Sequence, residues 1–85
     1  MKTPLEMLGF QKMEAETWEL HQKTSMTDEN VNLNIWFMKE LKCVVFEAVD
    51  VTGVEPHPHF AVTPETYLAV GDRMKELGFF DNLKD

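Results

Sequence analysis

Val31-Asn32-Leu33-Asn34-Ile35-Trp36-Phe37-Met38 is the stretch on which the fold turns. Large apolar side chains recur at every second position, and β-branched and aromatic residues suit an extended, pleated backbone better than a helix. Alternation sends Val31, Leu33, Ile35 and Phe37 to one side of a strand, and Asn32, Asn34, Trp36 and Met38 to the other. Just beyond, Lys39-Glu40-Leu41-Lys42 has the length of a hairpin loop, and residues 43–49 are apolar and β-branched enough to return as the next strand. On the other side, Ser25-Met26-Thr27-Asp28-Glu29-Asn30 is polar and reads as a turn. Residues 10–23 read as extended, with Thr17, Trp18 and Leu20 favouring a strand. A break within Met13-Glu14-Ala15-Glu16 makes this segment a hairpin rather than one strand.

Both ends of the sheet carry the same punctuation. Thr3-Pro4-Leu5-Glu6-Met7-Leu8-Gly9-Phe10 is answered by Thr63-Pro64-Glu65-Thr66, which runs on to Lys75-Glu76-Leu77-Gly78-Phe79-Phe80. Threonine is a good N-cap, and proline suits the first helical position, where its missing N–H costs nothing. Leu-Gly-Phe ends a helix, because glycine takes the left-handed conformation and the phenylalanine folds back onto the last turn. The phrases predict helices over residues 4–8 and 64–77. Their shared letters are all cap residues, so the repeat is punctuation and not a duplication. In the longer helix Tyr67, Val70, Met74 and Leu77 make an apolar stripe widened by Leu68, and Glu65, Asp72, Arg73, Lys75 and Glu76 make the solvated side. Gly71 inside that helix, costing roughly 1 kcal/mol against alanine, predicts a close approach to the sheet. Residues 50–59 hold Gly53, Pro56 and Pro58 and read as irregular, and Phe60-Ala61-Val62 reads as a last short strand. The pieces predict one domain over residues 1–85, of the α+β class. It is an antiparallel sheet of three to four strands with a C-terminal helix packed on one face and a short N-terminal helix.

With 85 residues, 44% hydrophobic and 11% aromatic, the chain supports one modest core but not a core plus an enclosed active-site cavity. No apolar run reaches the ~18 residues of a membrane span, and the N-terminus lacks the apolar core of a signal peptide. A cytoplasmic protein with no membrane partner is expected. Cys43 stands alone, which excludes an intramolecular disulfide. Fifteen Asp and Glu against eight Lys and Arg give a formal charge of -7, which disfavours direct nucleic-acid binding. The acidity serves either solubility or attraction to a basic surface, such as that of a nucleic-acid-binding protein.

Chemistry-bearing residues are sparse. His57-Pro58-His59 places two imidazoles on one side of an extended segment, where they can face one ion if Glu55, Asp50, His21 or Cys43 completes the set. No second ligand pair at a diagnostic spacing accompanies them, and the plainer reading is a proline-stiffened exposed loop. No metal, cofactor or catalytic residue is assigned, and Glu55, His57 and His59 stand as candidates for lining a ligand site between subunits. Cys43 begins a strand that reads as buried, where a thiol behaves as a small hydrophobe. Ser25 lacks a strained glycine-rich elbow, and Gly9, Gly53, Gly71 and Gly78 are too isolated to cradle a phosphate. Glu47 lies among apolar neighbours, as a general acid requires, but shares a face with Cys43, Val45 and Val49 and reads as an edge residue beside Lys39 or Lys42.

The most suggestive feature is the second sheet face. Trp36, Met38, Asn32 and Asn34, joined by Trp18 or Leu20, mix aromatic, thioether and amide groups as protein interfaces do. Two readings stand: an interaction surface, or a second core face covered by the N-terminal helix with Leu5, Met7, Leu8 and Phe10.

Leu8-Gly9-Phe10, Thr63-Pro64-Glu65 and Lys75-Glu76-Leu77-Gly78-Phe79 resemble the small acidic proteins of phages and prophages of Gram-positive bacteria. Those chains open near a Leu-Gly-aromatic, continue in strands and end in a Thr-Pro-initiated helix. The resemblance implies a phage or mobile-element setting and carries over no catalytic residue. The loop over residues 54–59 departs from that pattern. The expectation is a non-enzymatic interaction protein that inhibits a host protein, an anti-defence role, through its acidic surface and the Trp36 face. Its partner is then a basic host protein, with a homodimer as a further association. The alternatives are an oligomeric binder of a small, nucleotide-like ligand and a metal-dependent hydrolase.

Overall fold

The computed structural model describes residues 2–54, 57–81 and 83. Six elements follow in order: α1 (Pro4–Met7), β1 (Gln11–Glu14), β2 (Trp18–Thr24), β3 (Val31–Met38), β4 (Cys43–Asp50) and α2 (Pro64–Glu76). The strands form one antiparallel meander in the order β1-β2-β3-β4, as the alternating pattern requires. β1 and β2 are the two arms of the expected hairpin, broken at residues 15–17.

Both helices begin and end as their cap letters dictate. Thr3 and Glu6 close a capping box on α1, and the Thr63 hydroxyl accepts from the Thr66 amide on α2. At the C-terminal ends, Gly9 and Gly78 take φ of 98° and 79°. Phe10 N–H donates to the Leu5 carbonyl at 3.1 Å, and Phe79 N–H to that of Met74 at 3.0 Å, closing the same motif twice. Both phenylalanines then turn into the core.

That core lies on one side of the sheet only. Leu5 of α1, Phe10, the Val31, Leu33, Ile35 and Phe37 side of β3, Ala69 and Val70 of α2, and Phe79 are packed together and buried. The short N-terminal helix therefore sits on the same face as α2, not on the Trp36 face. Residues 60–62 are not a strand. Phe60 crosses the core face instead, its ring 6.5 Å from Phe10 and 5.3 Å from Phe46, so side-chain packing replaces a ladder there.

Two expectations for α2 are corrected. Tyr67 is 70% and Leu68 65% exposed, and the inward stripe is Thr66, Ala69, Val70, Arg73, Met74 and Leu77. Arg73 belongs to this stripe because it lies three and four positions beyond Val70 and Ala69. Gly71 makes no close approach, since a Cβ placed there meets nothing within 4 Å. Gly71→Ala is accordingly expected to stabilise the protein by about 1 kcal/mol through helix propensity. A higher urea midpoint at an unchanged slope checks this, and a loss of stability refutes it.

Candidate interaction surface

Register fixes what the uncovered face displays. Met13, Leu20, Trp36 and Val45 stand in one row across all four strands. Beside it Trp18, Met38 and Cys43 form a second apolar row. The Trp18 and Trp36 rings meet edge to face with centroids 5.3 Å apart, at the centre of this apolar half. Leu20 is buried although no helix lies over it, and Met13 and Val45 are each 47% exposed. Cys43, read as a buried residue, is half-buried, because it opens an edge strand on the uncovered side.

The other half of the face is polar and internally satisfied. Gln11, Gln22, Asn34 and Glu47 occupy the next row. Gln22 Nε2 donates to Asn34 Oδ1 at 2.8 Å, and Asn34 Nδ2 donates to Glu47 Oε1 at 3.0 Å. Trp36 Nε1 is a second donor to the same Glu47 oxygen, at 3.3 Å. Glu47 is thus held by Asn34 and Trp36, not by Lys39 or Lys42. Lys39 instead donates to Glu14 Oε1 at 2.7 Å, which holds the Glu14 carboxyl below its usual range. The five interaction candidates divide accordingly. Trp18, Trp36 and Met38 come together as an apolar patch, Asn34 is committed to the amide ladder, and Asn32 lies one row further, between Thr24 and Val49.

The loop candidates do not assemble. His57 and His59 are exposed, and Glu55 lies outside the described residues. Among the described residues no three of His, Cys, Asp and Glu come together in a way that could hold a metal ion. No helix among them is long and apolar enough to cross a membrane.

The densest polar chemistry sits beneath α2 and includes His21, which the sequence offers only as a partner for the loop histidines and which is instead buried against Glu19. Glu19 and His21 point to the covered face, opposite Phe37 and Ile35 on β3, and both are buried. Arg73 reaches down from the last turns of α2 in a bidentate pair, Nε to Glu19 Oε1 at 2.7 Å and Nη2 to Oε2 at 2.6 Å. His21 Nε2–H donates to Glu19 Oε1 at 2.6 Å, and its ring stands edge-on to Phe37 at 5.3 Å. Burial alone pushes the Glu19 carboxyl up, but the hydrogen bonds and charges of Arg73 and His21 outweigh it and bring the pKa down to about 2. The same pair raises Arg73 above its ordinary value. A Glu–His pair with an Arg has the groups for acid–base work, yet with Glu19 at 0% and His21 at 2% exposure neither can meet a substrate. Its role is to clamp α2 to β2. The legible signal was the parity of β2: once Trp18 and Leu20 face outward, Glu19 and His21 must face inward.

No family model, curated protein or solved structure matches this chain, so the surface geometry stands without a relative to interpret it.

Proposed function

We propose that this protein is a non-enzymatic interaction module, of the phage or mobile-element kind that its cap motifs resemble, which docks a basic protein partner through its uncovered sheet face. The observation that carries this reading is the Trp18–Trp36 pair, set among Leu20, Met38, Met13 and Val45 on a face that neither helix covers. Paired tryptophans beside a satisfied amide ladder match the anatomy of an interface, an apolar centre with a polar margin. The formal charge of -7 would speed encounter with a basic surface. An inhibitory, anti-defence role follows if the docked surface is the partner's working face.

Replacing both tryptophans tests this. Trp18→Ala with Trp36→Ala should leave a cooperatively folding domain, because the main core lies on the opposite face. The wild-type chain immobilised in a bacterial lysate should retain a basic protein that the double variant loses, with retention falling as salt rises. Identical capture by both forms, or capture indifferent to salt, overturns the reading.

A further inference from the structure

The two edges of the sheet are built differently. β1 is four residues long, wholly exposed, and carries Lys12 and Glu14, which discourage pairing with another chain. β4 is eight residues long, with Glu47 as its only charge before the terminal Asp50, and has neither proline nor lysine. Its hydrogen-bonding parity is fixed at two places. Val51 N–H donates to the Asn30 carbonyl, and Ser25 N–H to that of Val31. Bonded pairs alternate along an antiparallel ladder, so residues 43, 45, 47 and 49 bond to β3. The N–H and C=O groups of Val44, Phe46 and Ala48 therefore point away from the sheet. Among the described residues no backbone group is bonded to them.

We infer that the occupant of this edge is a second copy of the chain, its β4 pairing antiparallel about a two-fold axis at Phe46, which joins two four-stranded sheets into one of eight. Charge and strand length select the register. The outward groups are those of even-numbered residues, so only pairings that keep even opposite even are open. Centring on Glu47 would set that carboxylate against its own copy, an unfavourable like-charge contact, and centring on Val45 would run Ala48 past the end of the copy's strand, against the turn that precedes Cys43. Centring on Phe46 sets Val45 opposite Glu47 and Val44 opposite Ala48, brings Asp50 to the strand end next to the turn that carries the copy's Lys42, and uses all three outward residues. The flank of the edge fits the same occupant. Phe46, Tyr67, Leu68 and Phe80, all exposed, line a groove of about 400 Å³ between α2 and β4, and the two-fold brings two such grooves together. Dimerisation at this edge leaves both tryptophan faces open on one side of the joined sheet, so it is independent of whether that face docks a partner.

Sedimentation velocity from micromolar to millimolar concentration gives the first readout. A species of twice the 9.9 kDa chain mass is expected, and a monomer throughout overturns the inference. Register is read with a charge pair at one exposed position. Val45→Glu places a carboxylate opposite the partner's Glu47 twice and should weaken the dimer about tenfold, whereas Val45→Lys should tighten it. Met26→Glu and Met26→Lys, at a residue 92% exposed and away from β4, make the same charge changes and should leave the dimer unaltered. Equal effects of both Val45 variants, or equal effects at Val45 and Met26, overturn the edge pairing. Circular dichroism melts of each variant separate loss of the dimer from loss of the fold.

Discussion

Glu19→Gln is expected to destabilise the protein by about 3 kcal/mol, a fall of roughly 15 °C in Tm for a domain of this size. The amide keeps the shape but removes the charge that Arg73 and Lys12 face, at 2.6 Å and 3.9 Å, inside a site with no access to water on the Glu19 side. The wild-type protein should also show the corresponding pH dependence. The unfolded chain titrates Glu19 near its ordinary value of 4.5, while the folded protein holds it down to about 2. Above pH 4.5 the carboxylate is charged in both states and its full contribution is present. As pH falls below that value the unfolded chain takes up the proton first, and stability declines until the folded site protonates near pH 2. The drop from 4.5 to about 2 corresponds to about 3 kcal/mol. Urea unfolding from pH 6 down to 2 should therefore show a steep loss in the wild type and a shallower one in Glu19→Gln. Parallel curves would mean that the cluster does not clamp the helix. Arg73→Met should cost as much, because it leaves Glu19 buried and charged beside His21. Replacing the whole cluster, Glu19→Leu with His21→Leu and Arg73→Met, should recover most of the loss, since apolar replacement of a complete buried ionic cluster is often close to neutral, whereas leaving His21 in place would strand its ring nitrogen.

Leu5→Ala is expected to cost about 3 kcal/mol, although Leu5 belongs to a helix of only four residues at the start of the chain. So short a helix has no stability of its own, and it persists because Leu5 is 2% exposed against Phe10, β3 and α2. Chemical denaturation distinguishes the outcomes. A loss of several kcal/mol places α1 in the main core, while a change below about 0.5 kcal/mol, typical of a surface site, would detach it. The result bears directly on the interaction surface, because a helix anchored through Leu5 to the α2 side cannot also cover Trp36.

How much of this was legible in the chain differs from residue to residue. Thr3, Thr63, Gly9 and Gly78 announced the helix ends because caps are satisfied within a few residues and need no remote partner. The parity of Val31–Met38 was equally plain, and the structure keeps every one of those side chains on its expected side. Arg73 was misplaced for an instructive reason. Charge argues for solvent and helical period argues for the core, and only a carboxylate 54 positions away tips the balance. Tyr67 and Leu68 were misplaced by the converse error. They are apolar, but two registers of stripe fit α2, and the one containing Ala69 and Arg73 is selected by the sheet beneath. Trp18, Trp36 and Met38 were recognisable as an unusual face, whereas the split between their apolar patch and the Gln22–Asn34–Glu47 ladder required the strand register.

The sequence alone determined both helices, their ends and the two sides of the central strand, because capping, alternation and turn chemistry act over a few neighbouring residues. The sequence did not foresee that residues 60–62 would stay out of the sheet, with Phe60 packed by its side chain. It could not determine which side of the sheet is covered. Both faces of β3 carry enough apolar surface to be buried, and the choice is made by where Leu5, Phe10, Phe79 and α2 converge. Tertiary structure decided that, and with it the burial of Glu19, the uncovered tryptophan face with its half-buried rings and the open edge at β4. Each is a contact, or the lack of one, between parts of the chain that local chemistry does not join.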